Sequence, residues 1–291
     1  MIPRFSLVRS RTLAEAHDAF ASGGGDTAWI AGGTELLQVM KMGYAQFDTL
    51  IDLKQIPDLH GVEERADGGL RIGAGTTHRT IERSPLVRRI VPALAALELG
   101  LANTRVRNTG TIGGNIAFAE PHSDPATFLL ACGATVELEG PAGRRVLTIG
   151  DFVLGPLWTA READEIVVAI HVPPAGPGTG RAYEKIKFFE RPAASVGVAL
   201  TVRDGSIAEA TVTAGSLTDV PTVVPAAVAA LVGADADERS LDEPLRRATE
   251  AFGALEVGAD HNGSADYKRH LATVLLGRAV RGAVSEALTH A

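Results

Sequence analysis

Two short segments set paired glycines beside hydroxyl-bearing residues, and they constrain this chain more than any other feature. The first, Ala31-Gly32-Gly33-Thr34-Glu35, follows a β-like run (27–31) and opens a helical one (34–40). Glycines there let the backbone approach a ligand closely and adopt dihedrals closed to other residues. Successive N–H groups at such a turn can point at one anion. A plain strand-to-helix turn with Thr34 as N-cap explains this segment alone about as well. The second segment, Thr109-Gly110-Thr111-Ile112-Gly113-Gly114-Asn115, repeats the composition. Two such nests in one domain favour a ligand with a diphosphate. Asn115 adds a donor and an acceptor for phosphate or ribose. Neither segment has the G-x-G-x-x-G spacing of a Rossmann turn or the lysine of a P-loop.

Asp124 follows in Ser123-Asp124-Pro125. An Asp before a Pro at a helix start reads as an N-cap. The competing reading is a carboxylate that accepts a ribose hydroxyl.

The net charge of −7 sets aside a phosphate-neutralising nucleic-acid binder, which would be basic. The single cysteine, Cys132, lies in an apolar stretch and reads as an inert buried thiol. It cannot hold an iron–sulfur cluster, which takes several thiolates, so any cluster must sit on another chain. Residues 1–10 carry basic side chains with no apolar run behind them, and no run of about 18 apolar residues exists. A cytoplasmic location without a membrane span is the expectation. His78, His122 and His171 lack the paired spacing of a metal site, so no metal is expected. His122 reads as a loop residue beside the ligand cleft. Glu63-Glu64 and Arg144-Arg145 read as solvated turns. Arg105 and Arg107 could reach a phosphate or a partner, or simply lie on the surface.

Helices are expected at 13–21, 34–40 and 125–132, and around the Ile90, Leu94, Leu97, Leu101 stripe, where Pro92 begins or kinks the helix. Strands are expected at 27–31, 49–53, 70–76, 134–138 and 165–172. The glycine-rich stretch 106–120 contains no good helix. PPAGPGTG (173–180) denies helix and ladder alike and reads as a linker. After it come three strands (181–189, 195–203, 207–214), with an Asp204-Gly205 hairpin turn, then three helices (225–231, 241–252, 266–288). Strands followed by helices indicate an α+β domain.

The segments AGGTELLQVMK (31–41) and VRNTGTIGGNIAFAEPHSDPA (106–126) closely resemble the flavoprotein (medium) subunits of molybdenum hydroxylases. These are subunits of aerobic carbon monoxide dehydrogenase, xanthine dehydrogenase and nicotine dehydrogenase type enzymes. LIDLKQIPDLHGV (50–62), LRIGAGTTHRTIERS (70–84), DFVLGPLWTA (151–160) and DYKRHLATVLLGRAV (266–280) fit the same pattern, so the resemblance covers nearly the whole chain.

The resemblance implies an α+β fold. A PCMH-type FAD-binding domain (1–175, lobes about 1–57 and 58–175) would precede a C-terminal domain (176–291) of a three-stranded antiparallel sheet and three helices. FAD would lie with its diphosphate against Ala31, Gly32, Gly33, Thr34 and Glu35 and against Thr111, Gly113, Gly114 and Asn115. Asp124 would meet the ribose side. Leu101 and Ala102 would approach the flavin ring, and Val167 would face it. Lys185 would lie near it and could stabilise a reduced, anionic flavin. Glu184 and Lys187 remain alternatives to Lys185, and a solvated strand-end lysine is the plain reading.

The implied function is electron transfer. A small subunit with [2Fe–2S] clusters would relay electrons from a molybdopterin cofactor on a large subunit. FAD would pass them to a final acceptor. Assembly as a dimer of heterotrimers, a heterohexamer, is implied too. With only Cys132 present, the branch that carries an extra cluster in this subunit is not expected. Two alternatives stay open: a stand-alone FAD-dependent oxidoreductase of the same fold, and a non-catalytic flavin-binding scaffold.

Overall fold

The computed structural model describes residues 2–289. Strand β1 (Ser6–Arg9), helix α1 (Leu13–Ser22), β2 (Thr27–Ile30), α2 (Leu36–Met42) and β3 (Thr49–Asp52) build a small parallel sheet of order β1-β3-β2. Parallel neighbours need crossovers, and the two helices supply them. Leu13 and Ala16 of α1 pack with Ile51 of β3 in a core that also takes Ile166 and Val168 from later in the chain.

A second sheet is antiparallel. It comprises β4 (Val62–Glu64), β5 (Leu70–Gly73), β6 (Thr135–Gly140), β7 (Gly143–Thr148) and a strand from 166–172, with short helices inserted between. Those helices are α3 (His78–Arg83), α4 (Pro85–Ile90), α5 (Pro92–Leu99), α6 (Thr104–Thr109), α7 (Ile112–Phe118) and α8 (Asp124–Ala131). Pro92 starts α5 and does not kink it. After β7 come α9 (Ile149–Phe152), the small hairpin β8 (Val153–Gly155) and β9 (Trp158–Thr159), and then β10 (Ile166–Val172). β10 lies between β5 and β6. Ile166 and Val168 face the first sheet's core, while Val167, Ile170 and Val172 face the second's. Burial on both sides explains its nearly unbroken apolar sequence.

Starting with the last two residues of the Pro/Gly segment, which pair in the ladder, β11 (Thr179–Lys187), β12 (Pro192–Arg203), β13 (Ser206–Gly215) and β14 (Thr222–Val223) form an antiparallel sheet. The expected three strands are therefore four. The extra one is a two-residue edge, too short for a period-two pattern to reveal. Asp204 and Gly205 both have positive φ, as the hairpin turn requires. Helices α10 (Pro225–Leu231), α11 (Asp242–Gly253) and α12 (Ala265–Thr289) cover one face. Gly180 is needed there, because a Cβ would lie 1.8 Å from the Ala283 carbonyl oxygen of α12.

Three local expectations need correction. Residues 104–118 hold two helices, α6 and α7, where none was expected. Asn103 and Thr111 cap them through their side chains, which offsets the poor helix propensity of Thr, Val and Asn in α6 and of the glycines in α7. Ser123, not Asp124, caps α8 by accepting from the Ala126 N–H. Glu63-Glu64 and Arg144-Arg145 lie in the edge strands β4 and β7 rather than in turns. Arg144 binds Glu139 (2.6 Å) and Glu137 (2.9 Å), and Arg145 binds Glu165 (2.7 Å), so the edge is charged and blunted. No helix of the described residues is long and apolar enough to cross a membrane.

Candidate FAD site

A cleft of about 1110 Å³ runs between the small parallel sheet, α7 and the segment that follows it. Its volume lies just above the range of about 300–1,000 Å³ usual for small-molecule sites. Ala31, Gly32, Gly33, Thr34, Glu35, Leu101, Ala102, Thr111, Gly113, Gly114, Asn115, Asp124 and Val167 all line it. Lys185 does not.

The two glycine segments touch. A Cβ on Gly32 would lie 2.4 Å from the Thr109 carbonyl oxygen, so only glycine permits this approach. Gly113 is pressed against Ala74 in the same way, and its N–H donates to the Ala74 carbonyl (2.9 Å). Gly33 has φ +70, a conformation that favours glycine.

The segments differ in what they offer a ligand. The N–H groups of Gly32, Gly33, Thr34 and Glu35 donate to no backbone carbonyl among the described residues, and no side chain caps α2. Thr34 is therefore not an N-cap. The second segment spends its donors internally. Ile112 N–H goes to Thr76 O (3.1 Å), Asn115 N–H to Thr111 O (2.9 Å), and Gly114 N–H to Thr111 Oγ1 (3.2 Å). It offers side chains instead. Thr111 keeps a hydroxyl proton, and Asn115, whose Oδ1 accepts from Ser123 (2.6 Å), keeps its amide N–H groups.

Asp124 is 3% exposed, and both its oxygens have partners. Oδ1 accepts from the Tyr183 hydroxyl (2.5 Å) and Oδ2 from Lys185 Nζ (2.5 Å). Burial first, and then the Asp124 charge, push the Tyr183 hydroxyl well above its ordinary value, so it stays a donor. Lys185 thus stands behind Asp124. Lys187 donates to the Gly100 carbonyl (2.8 Å). Burial, helped by the neighbouring Lys185 charge, lowers its value. Arg107 is buried on Glu82 (3.1 Å) and on the Leu101 carbonyl (2.8 Å). It fixes the chain at Leu101–Ala102, where Ala102 has φ +39, and does not point at a phosphate. Arg105 is exposed.

Sequence reasoning missed Arg191, which lines the cleft and binds both Glu35 (3.2 Å) and Glu120. Burial raises the Glu35 carboxyl despite that partner. Burial would raise Glu120 as well, but the hydrogen bond from His122 and the Arg191 charge outweigh it and hold Glu120 below its usual range. His122, expected beside the cleft, lines it and also contacts Asp260 (3.1 Å). The signal for Arg191 was absent, since it lies in a loop far along the chain from both carboxylates. Cys132 is buried and its thiol is pushed up to about 12 by burial, so it stays protonated. Among the described residues, no group of three or more His, Cys, Asp and Glu could hold a metal ion.

Four successive N–H groups without a backbone acceptor, hydroxyl and amide donors lining the same cleft, and a buried carboxylate fit a dinucleotide with a diphosphate. The comparisons with known proteins agree. Residues 3–175 match the family described as "FAD binding domain in molybdopterin dehydrogenase", and residues 181–283 match "CO dehydrogenase flavoprotein C-terminal domain". The carbon monoxide dehydrogenase medium chain of Hydrogenophaga pseudoflava is 34% identical over 97% of both chains. The nicotine 6-hydroxylase medium subunit of Paenarthrobacter nicotinovorans is 33% identical over 88% of this chain and 89% of its own. The fold overlays the corresponding chain of the solved Hydrogenophaga pseudoflava carbon monoxide dehydrogenase with a TM-score of 0.92, covering 98% and 99% of the two chains. Fold, cleft and sequence together make this chain a member of the FAD-binding medium-subunit family of molybdopterin-dependent dehydrogenases.

Proposed function

We propose that this chain holds FAD extended along the cleft and serves as the electron-transfer flavoprotein of a molybdenum-dependent hydroxylase. The observation that carries this is the row of N–H groups from Gly32 to Glu35, which have no backbone acceptor and line a cleft large enough for a dinucleotide. The diphosphate lies against that row, with Thr111 and Asn115 donating from the other side. Gly113 and Gly114 keep the backbone close. Asp124 accepts from the ribose side, and the flavin ring lies toward Leu101, Ala102 and Val167. Bound FAD supplies the redox chemistry, taking up electrons and passing them to an acceptor. The protein binds, orients and excludes water. It contributes no acid–base dyad or nucleophile.

Lys185 acts on the cofactor through Asp124, not by direct approach. The division of the chain near residue 176, with lobes meeting near residue 57, follows the three sheets. Partners follow from relatives called medium chains. A small subunit with iron–sulfur clusters would feed FAD, and a large molybdopterin subunit would oxidise the substrate. One relative's solved structure is described as lacking the Mo-pyranopterin moiety of the molybdenum cofactor, which places such a cofactor in that enzyme. Assembly as a dimer of heterotrimers and a cytoplasmic location complete the reading.

The test is a fluorescence titration of cofactor-depleted protein with FAD and with FMN. FMN lacks the diphosphate bridge and the adenosine. It should bind at least about a hundredfold more weakly, since several charge-assisted hydrogen bonds are lost. Equal affinity would remove the diphosphate from the glycine row.

A further inference from the structure

Five basic residues line the cleft: Lys54, His78, His122, Arg161 and Arg191. Four are already tied up by the protein. Lys54 binds Asp52 (2.9 Å) and the Ala31 carbonyl (3.2 Å). Arg161 donates to the carbonyls of Glu162, Ala163 and Glu165. Arg191 spans Glu35 and Glu120, and His122 spans Glu120 and Asp260. His78 is different. It is 3% exposed, and its Nδ1 meets Glu98 Oε2 at 2.8 Å, with Glu98 fully buried in α5. Glu98 Oε1 is sealed in the core without a partner, whereas His78 Nε2 has no protein partner among the described residues and is not sealed. Nε2 is therefore the nitrogen that His78 presents to the cleft.

Its position is fixed from several sides. The His78 N–H donates to the Gly110 carbonyl (3.1 Å), and Thr77 bridges to Thr111. A Cβ on Gly110 would lie 3.2 Å from His78 Cδ2 and 3.3 Å from Thr34 Oγ1. The imidazole edge and the Thr34 hydroxyl therefore flank the same glycine, where the two glycine segments meet. This is also where the row of unpartnered N–H groups lies.

We propose that His78 is a direct contact to the cofactor's diphosphate, its imidazole aimed by Glu98, an inference that rests on FAD occupying this cleft. Glu98 hydrogen-bonds to Nδ1 and so fixes the ring's orientation, as a carboxylate partner does for a working histidine. Nε2 donates to a phosphate oxygen while Nδ1 stays hydrogen-bonded to Glu98. No lysine or arginine lining the cleft is free to make that contact, since each is already paired within the protein. No bond is made or broken in the contact.

Two substitutions separate this from a purely structural pair. His78→Asn keeps a donor facing Glu98 and removes the reach of Nε2. His78→Gln keeps the reach and gives up the Glu98 bond. The full chain, in its native assembly and stripped of cofactor, is titrated with FAD, and melting temperatures are recorded without FAD. His78→Asn should bind FAD about tenfold more weakly or worse with its melting temperature within about 2–4 °C of the wild type. His78→Gln should recover part of the affinity. Wild-type affinity in His78→Asn overturns the proposal and leaves His78 as a brace between α3 and α5. If His78→Asn does not fold, His78→Gln against His78→Leu asks the same question, and equal affinity in those two overturns it. Wild-type protein that takes up no FAD would instead defeat the reading of the cleft, and this proposal with it.

Discussion

Asp124 shows how one residue can be readable in the sequence for a role it does not have. Its place before Pro125 suggested an N-cap, but Ser123 takes that role, and Asp124 turns inward to Tyr183 and Lys185. A carboxylate has about four lone-pair sites, so two protein donors leave room for a ribose hydroxyl. Asp124→Ala strands Lys185, whose side chain is 13% exposed, without its counter-charge. The loss should be about 3 kcal/mol of stability, together with weaker FAD binding. Denaturant unfolding and FAD titration on the same variant separate the two roles. Unchanged affinity in a folded Asp124→Ala protein would remove the ribose contact, and unchanged stability would make the ion pair incidental. Asp124→Asn, of nearly equal volume, shows how much of either loss is charge.

At the level of elements, legibility tracked burial. β10 was readable because both its faces are covered, which leaves a continuous apolar run. Helices α11 and α12 were readable from long patterns. β4 and β7 were mistaken for turns because exposed edge strands lose the alternation that marks a half-buried strand. α6 and α7 were hidden because they are short and contain poor helix formers. Pairing of residues 110–113 with residues 74–78 holds the start of α7, and helix propensity does not. The glycine segments themselves were legible as a ligand cradle. Their division of labour was not: composition cannot show that one row of N–H groups is unpartnered while the other is spent on Ala74, Thr76 and Thr111. Nor could spacing place Lys185 behind Asp124, or bring Arg191 to Glu35.

Across the whole molecule, ion pairs tie the cleft to the C-terminal half. Arg191, at the start of β12's approach, grips Glu35 and Glu120, and His122 joins Glu120 to Asp260, which also binds Lys268 of α12 (2.9 Å). The hydrogen bond to Glu120 raises His122 above its ordinary value against the opposing effect of burial, with Asp260 adding to the rise. Asp260 is held far below the usual carboxylate range. Burial works against this, but Lys268 and His122 prevail, so Asp260 stays ionised throughout. A histidine raised by folding adds stability that is complete below its ordinary pKa of about 6.5 and is lost as pH rises through the raised one. His122→Asn should therefore melt about 2–4 °C below wild type in mild acid, with the gap closing in alkaline buffer. A gap independent of pH would mean that His122 contributes packing alone.

The roles given to the glycine row, Asp124 and His78 as cofactor contacts depend on FAD in the cleft. The direct measurement is the visible spectrum of the purified protein in its native assembly, with the released cofactor identified by chromatography after denaturation. A flavin spectrum and stoichiometric release of FAD are the expected result. A colourless protein that also takes up no added FAD would contradict it.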